Sequence, residues 1–140
     1  MARGRVVIIH DGRVALIERQ RDGRTYYVIP GGGAEPGEST REAARREAEE
    51  ELGLTVEIGE LLAEDIYQGE RNDFFAARMV DGEFGTGAGA ELAADATSPS
   101  GSYAPVWMPV SQVPDVLLLP ARVATLIVSR ATHGRDSSGL

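Results

Sequence analysis

The stretch from Gly31 to Leu54, GGGAEPGESTREAARREAEEELGL, constrains the fold of this chain more than any other segment. It opens with three glycines after Pro30, passes through a turn and continues as a run rich in glutamate and alanine. Ser39, with a glutamate three residues later, forms a capping-box pattern that predicts the start of a helix. Gly53 suits the position just after a helix, where a left-handed backbone is common. The sequence therefore predicts a glycine loop that leads into a helix between Ser39 and Gly53.

This predicted helix has an apolar stripe bordered by acidic side chains. Ala44, Ala48 and Leu52 recur four residues apart and form a stripe that can pack on a sheet. Three glutamates border this stripe at about a quarter-turn from it: Glu47, Glu50 and Glu51. Crowded carboxylates repel one another unless a cation lies among them, and Mg²⁺ prefers oxygen ligands of this kind, completed by water and substrate phosphates. We therefore hypothesise a metal-dependent site for phosphate chemistry at this loop and helix.

The segments before and after the helix predict strands. Residues 5–10, 13–19 and 26–29 are rich in β-branched and aromatic residues and are separated by Asp-Gly turns. Three strands before any helix favour a mixed or antiparallel sheet over a doubly wound parallel one. The later segments predict strands at 55–66, with a kink near Gly59, at 73–80 and at 103–110, and a final helix at 117–130, starting near Pro120.

Two segments lack this periodicity. Residues 81–102 are rich in glycine, alanine, serine and aspartate, and a loop of that length in a small domain is often a lid, a binding loop or disordered. Residues 131–140 are mostly small and polar and predict a disordered tail. The sequence thus predicts one domain over residues 1–130, large enough to bury a core, followed by a tail.

The composition excludes several classes of function. A net charge of −8 argues against a general nucleic-acid binder, which would carry a basic face. Cysteine is absent, which excludes disulfides, thiolate zinc sites and cysteine nucleophiles. No apolar run approaches the roughly 20 residues of a membrane-spanning helix, and the N-terminus lacks a signal-peptide pattern. We therefore expect a cytoplasmic protein without nucleic-acid or membrane partners. Lysine is also absent, so arginines or metal ions must neutralise an anionic substrate.

The stretch that follows Pro30 resembles the signature of the Nudix hydrolases. That signature is Gly, five residues, Glu, seven residues, then Arg-Glu-hydrophobic-any-Glu-Glu-any-Gly-hydrophobic. The positions in register are Gly32, Glu38, Arg46, Glu47, Glu50, Glu51, Gly53 and Leu54, with Ala48 at the hydrophobic position. The lead-in over residues 26–35 and the later segment 105–110 also resemble the family.

The resemblance implies an α+β Nudix fold, an α/β/α sandwich built on a mixed sheet. It implies Mg²⁺- or Mn²⁺-dependent hydrolysis of a phosphoanhydride bond, by water attack at phosphorus, in a nucleoside diphosphate linked to another group. Such substrates include nucleoside triphosphates and ADP-ribose, and the short chain leans towards a triphosphate or another small nucleotide. The alternative is a catalytically idle Nudix-fold module that binds nucleotide as a sensor. A homodimer is common among such folds, and the sequence leaves the oligomeric state open.

The resemblance also suggests roles for individual residues. Glu50 and Glu51 match metal ligands, Glu47 matches a ligand or general base, and the Gly31 carbonyl often completes the metal shell. Arg46 and Glu38 match a pair that braces the loop around Gly32 against the helix. The catalytic candidates are Glu47, Glu50 and an acid from outside the signature. Glu91 is the first candidate for that acid, followed by Glu70 and Glu83. The candidates for substrate contact are Arg24, Arg71, Arg78 and Tyr27.

Overall fold

The computed structural model describes residues 2–67, 69–85 and 102–138, and only the backbone of residues 67 and 132–138. Within these ranges, eight strands form one sheet and two α-helices pack on it. The strands are β1 (Arg3–His10), β2 (Arg13–Arg21), β3 (Arg24–Val28), β4 (Gly31–Gly33), β5 (Leu54–Tyr67), β6 (Glu70–Gly82), β7 (Ser102–Pro109) and β8 (Leu118–Leu119). The helices are α1 (Thr40–Glu47) and α2 (Arg122–Ser138).

The sheet is mixed, as the sequence predicts. Its order is β5-β6-β1-β2-β3-β8, with β4 paired to β1 and β7 paired to β2. The β1–β6 and β3–β8 pairs are parallel, whereas the other pairs are antiparallel. Strand β1 therefore lies between the glycines of β4 and the first half of β6, with Gly4 opposite both Gly32 and Asp73.

Each face of the sheet carries its own hydrophobic cluster, because successive side chains of a strand point to opposite faces. The α1-side cluster includes Val6, Ile8, Ala44, Ala48 and Leu52. The α2-side cluster includes Val7, Leu16, Phe74, Val123 and Ile127. A helix on each face of a mixed sheet confirms the predicted sandwich.

Gly4 lets α1 lie close to the sheet. A Cβ at this position would overlap the carbonyl oxygen of Thr40 and would lie 2.9 Å from the backbone nitrogen of Ala44. Because glycine has no Cβ, the first turns of α1 can rest directly on the β1 backbone.

The start of the helix is the predicted capping box. The Ser39 hydroxyl accepts a hydrogen bond from the Glu42 N–H at 3.0 Å, and the Glu42 carboxylate accepts one from the Ser39 N–H at 2.9 Å. The predicted helix extends to Gly53, and its last part, Ala48–Leu52, is π-helical instead of α-helical. Such segments add a residue to the turn and are frequent at functional sites. Gly53 is left-handed, with φ of 76°, as predicted.

The remaining elements differ from the predictions mainly in length. Strand β5 carries register shifts between Ile58 and Leu61, which matches the predicted kink near Gly59. Helix α2 begins at Arg122, after a 3₁₀ helix over Val110–Asp115, and reaches Ser138, within the segment predicted as a tail. Most of the predicted 81–102 loop lies outside the described residues, although β6 takes in its first two. Within the described ranges, neither helix is long and apolar enough to cross a bilayer.

Candidate active site

The acidic site lies where β4 meets the C-terminal end of α1. Gly32 of β4 faces Glu47, and a Cβ on Gly32 would lie 2.5 Å from Glu47 Oε1. The Glu47 side chain is only 13% exposed. The glycine therefore leaves the space in which this carboxylate lies against the strand.

Arg46 joins the loop to the helix. Its Nε and Nη2 donate to the two carboxylate oxygens of Glu38, each at 3.0 Å, which is the bidentate geometry that makes such pairs strong. Nη2 also donates to the Gly33 carbonyl at 3.0 Å. Nη1 donates to Glu47 Oε1 at 3.0 Å and to Glu50 Oε2 at 3.2 Å. The predicted contact between Arg46 and Glu38 is present, and the same guanidinium also holds two glutamates of the signature.

The ion pair between Arg46 and Glu38 shifts the pKa of both groups. The hydrogen bond from Arg46 lowers the pKa of Glu38, and the hydrogen bond from the Glu35 N–H lowers it further. The hydrogen bond to Glu38 is also the main reason that the pKa of Arg46 is raised. Both groups are therefore charged at neutral pH, and folding favours their charged forms.

Glu51 is held by the glycine loop. The Gly31 N–H donates to Glu51 Oε1 at 2.7 Å, a short charge-assisted bond. Glu51 is only 6% exposed, whereas the Glu50 side chain is 49% exposed. The three carboxylates thus differ in solvation: Glu51 is buried against the loop, Glu47 is nearly buried and Glu50 reaches solvent.

The donor chemistry of this site fits a hard divalent cation, because its side chains offer carboxylate oxygens. In the described residues, however, no three acidic or histidine side chains gather into a group that could hold a metal ion. Arg46 engages oxygens of Glu47 and Glu50, and the Gly31 N–H engages one of Glu51. The guanidinium supplies positive charge among these carboxylates, and the metal-ligand roles stay a prediction.

The four residues predicted to contact substrate lie at different places on the sheet. Arg71 pairs with Asp73 at 3.1 Å, near the N-terminal end of α1, where Thr40 also donates to Asp73. Arg78 pairs with Glu57 at 3.1 Å on the sheet face opposite α1, and Arg24 is exposed at the end of the β2–β3 hairpin.

Tyr27, the fourth of these residues, packs against the α2-side cluster and donates to Glu18 at 3.3 Å. Burial, followed by the charge of Glu18, raises the pKa of Tyr27. The acid Glu91 lies outside the described residues. Of its two alternatives, Glu70 pairs with Arg3 at 3.1 Å and Glu83 is exposed.

Arg19, which the sequence did not single out, forms a cationic and aromatic surface with Tyr26 and Tyr103 on the α1 face. The Arg19 guanidinium lies 3.9 Å from the centre of the Tyr103 ring and 5.6 Å from that of Tyr26. Phe84 and Trp107 pack against the α1-side cluster and stack on each other, with ring centres 4.7 Å apart. Alternation along β2 could have indicated this position. Side chains two residues apart on a strand share a face, and Arg19 follows Ile17, which belongs to the α1-side cluster.

Comparisons with known proteins find a matching family and a related protein. The chain matches the NUDIX domain over residues 1–127. It is 41% identical to the CTP pyrophosphohydrolase of Escherichia coli (strain K12) over 59 residues, which are 41% of this chain. That match spans 44% of the length of the relative.

Solved structures extend the likeness to nearly the whole chain. The E. coli ORF135 protein has a TM-score of 0.62 at 24% identity, covering 98% of this chain and 91% of its own. The MutT NUDIX hydrolase from Burkholderia pseudomallei has a TM-score of 0.62 at 27% identity, with coverages of 91% and 96%. The predicted Nudix fold is confirmed, and the chain belongs to the Nudix hydrolase family.

Proposed function

We propose that this chain hydrolyses a phosphoanhydride bond of a nucleoside diphosphate linked to another group, with a nucleoside triphosphate as the leading substrate class. The observation that carries the proposal is the meeting of Glu47, Glu50 and Glu51 with the glycines of β4 at one end of α1. The likeness to a CTP pyrophosphohydrolase supports the triphosphate.

The residues of the site divide the chemistry between them. Glu50 and Glu51, with the Gly31 carbonyl, would hold Mg²⁺ or Mn²⁺. When bound, the ion neutralises phosphate charge and lowers the pKa of a coordinated water. The water oxygen forms a bond to phosphorus, the bridging P–O bond breaks with its electrons going to the leaving phosphate, and Glu47 accepts the proton of the water.

The arrangement around Glu47 suits a general base. Gly32 leaves room for its carboxylate against the strand, and Arg46 fixes one of its oxygens at 3.0 Å. A base that is oriented in this way loses little freedom when a water binds to it, so proton transfer needs little rearrangement.

The α1 face of the sheet offers a surface for the nucleoside. Arg19 stacks on Tyr103, and a planar cation beside aromatic rings can receive a base by stacking. This surface is our proposal for the base contact, and the substrate contacts predicted for Arg24, Arg71, Arg78 and Tyr27 stay predictions. The cytoplasmic location and the absence of nucleic-acid and membrane partners stay predictions, and the homodimer stays open.

The proposal is tested by incubating the chain with Mg²⁺ or Mn²⁺ and a panel of nucleoside triphosphates, ADP-ribose and nucleotide sugars. Products are identified by mass spectrometry, with the reaction run in ¹⁸O-labelled water. We expect turnover of at least one triphosphate, with one ¹⁸O atom in a phosphate product. Binding of nucleotides without turnover of any panel member would overturn the proposal in favour of the idle nucleotide-binding module.

A further inference from the structure

A side chain of β1 reaches the loop that carries Gly31. Arg5 Nη1 donates to the Ile29 carbonyl at 2.8 Å, and Arg5 Nε donates to Asn72 Oδ1 at 2.8 Å. Asn72 is 1% exposed, and its Nδ2 donates to the Glu70 carbonyl at 3.0 Å. This second bond fixes the amide, because only the NH₂ group can donate to a carbonyl and Oδ1 must then face Arg5. The guanidinium is therefore held from β6 while it holds the loop.

The contact acts on the backbone immediately before Gly31. The Pro30 carbonyl accepts from the Val6 N–H at 2.9 Å, so the carbonyls of Ile29 and Pro30 are both held by β1. A Cβ on Gly31, where φ is 154°, would lie 3.0 Å from Arg5 Cγ, which shows how closely the arginine stem underlies this residue. Because glycine has a wide choice of backbone conformations, neighbouring groups must impose the orientation of its peptide.

That orientation decides where Glu51 lies. The Gly31 N–H points at Glu51 Oε1 across 2.7 Å and holds this buried carboxylate in place. A continuous set of contacts thus runs from Asn72 through Arg5 and Ile29 to Gly31 and Glu51. None of these contacts involves Arg46, which holds the two more exposed glutamates.

We propose that Arg5, fixed by Asn72, is a positioning residue that aims the Gly31 N–H at Glu51. An arginine suits this position because its planar group presents donors in two fixed directions, whereas a lysine ammonium cannot reproduce that geometry. The catalytic consequence of this arrangement rests on the proposed function, whereas the positioning itself does not.

The positioning is tested on the metal-free protein by NMR hydrogen exchange of the Gly31 amide. In Arg5→Met the Gly31 amide should exchange about tenfold faster or more, since a charge-assisted hydrogen bond is lost or loosened. Arg3→Met is the matched control, because Arg3 lies on the same strand and its side chain pairs with Glu70, while its backbone pairing with Gly33 is kept in the variant. Unchanged Gly31 exchange in Arg5→Met, with the fold intact, would overturn the proposal. Should Arg5→Met not fold, Arg5→Lys keeps the charge and the stem and is subject to the same test.

The catalytic consequence is tested by kinetics on the substrate found in the panel. Arg5→Met should lower kcat roughly 10- to 100-fold, the range for residues that orient a metal ligand, with little change in KM. Arg3→Met should stay near the wild-type value. Because Asn72 acts through Arg5, Arg5→Met/Asn72→Ala should be no slower than Arg5→Met alone, and additive losses would contradict this link. A chain without turnover would overturn the proposed function, while the Gly31 exchange would still decide the positioning.

Discussion

Arg46 determines the geometry of the acidic site at the scale of single residues. Its guanidinium contacts Glu38, Glu47, Glu50 and the Gly33 carbonyl, all between 3.0 and 3.2 Å. The signature predicts the Glu38 contact, because both residues belong to it. It does not predict the contacts with Glu47 and Glu50, because sequence spacing does not show which way a long side chain turns.

Replacing Arg46 by lysine should show that this geometry matters more than charge. Arg46→Lys keeps a cation but loses the bidentate bond to Glu38, so hydrolysis should fall about tenfold or more. Arg45→Lys is the control, because Arg45 is exposed at the preceding position of the same helix. Steady-state kinetics of both variants provide the measurement, and equal rates in the two would contradict the assigned role.

The charge on Glu38 should make the stability of the site depend on pH. Its folded-state pKa is lowered by Arg46 and by the Glu35 N–H. The Arg46 guanidinium also forms ion pairs with Glu35, Glu47 and Glu50. Because the pKa of Glu38 is lower in the folded state than its unfolded-state value of about 4.3, the ionised carboxylate stabilises the fold fully above that pH. This contribution is lost as the pH falls through the folded-state pKa.

Glu38→Gln should therefore be less stable than the wild type at neutral pH, with a difference that narrows as the pH drops below about 4. Thermal unfolding of both proteins across this range provides the measurement. A difference that stays constant down to the lowest pH would show that the charge of Glu38 contributes nothing.

Gly32 illustrates a residue whose role becomes clear only in three dimensions. The signature requires glycine there, and the structure shows that a Cβ would collide with the Glu47 carboxylate. Gly32→Ala should displace Glu47 and reduce kcat about tenfold or more, since a small misplacement of a catalytic group is costly. The melting temperature is measured in parallel. If the loss of kcat is fully explained by a loss of folded protein, Gly32 has a purely structural role.

At the scale of elements, the start and the end of the helical segment were predictable, whereas the π-helical geometry of its last part was not. The capping box of Ser39 and Glu42 is a local pattern, so sequence alone identifies it. The π-helical segment over Ala48–Leu52 brings together a buried Leu52, a buried Glu51 and the Gly31 N–H, which are constraints from distant parts of the chain. The short strand β4 was not predicted for a related reason. Three consecutive glycines do not indicate a strand by themselves, and here they form one by pairing with β1.

The capping box should contribute measurably to stability. Ser39→Ala removes the acceptor for the Glu42 N–H, which should cost about 1 kcal/mol of unfolding free energy. Thr55→Ala is a suitable control, because the Thr55 hydroxyl makes a long 3.5 Å contact with the exposed Glu49. Chemical denaturation measures both variants, and a Ser39→Ala protein as stable as the control would contradict the role of the cap.

At the scale of the whole molecule, β1 connects the two halves of the site. It pairs with β4 and β6, supports α1 at Gly4 and contributes Arg5 to the loop before Gly31. The spacing of the strands favours a mixed or antiparallel sheet, and the resemblance to the Nudix hydrolases implies the two helix layers. The parallel pairing of β1 with β6 could not be predicted, because these strands are more than 60 residues apart and no local pattern encodes their register. The position of Arg19 beside Tyr103 was not predicted either, because these residues are paired between β2 and β7, which lie far apart in the sequence.

The central claim is that the glutamates at the end of α1 carry out metal-dependent hydrolysis. It is tested most directly by comparing Glu50→Gln/Glu51→Gln with Glu49→Gln, in which an exposed neighbour on the same segment is changed. Initial rates are measured with Mg²⁺ on the substrate identified in the panel. We predict a loss of about a hundredfold or more in the double variant, because the groups that hold the cation are gone, and a nearly unchanged rate in Glu49→Gln. Activity in the double variant equal to that of Glu49→Gln would contradict the account.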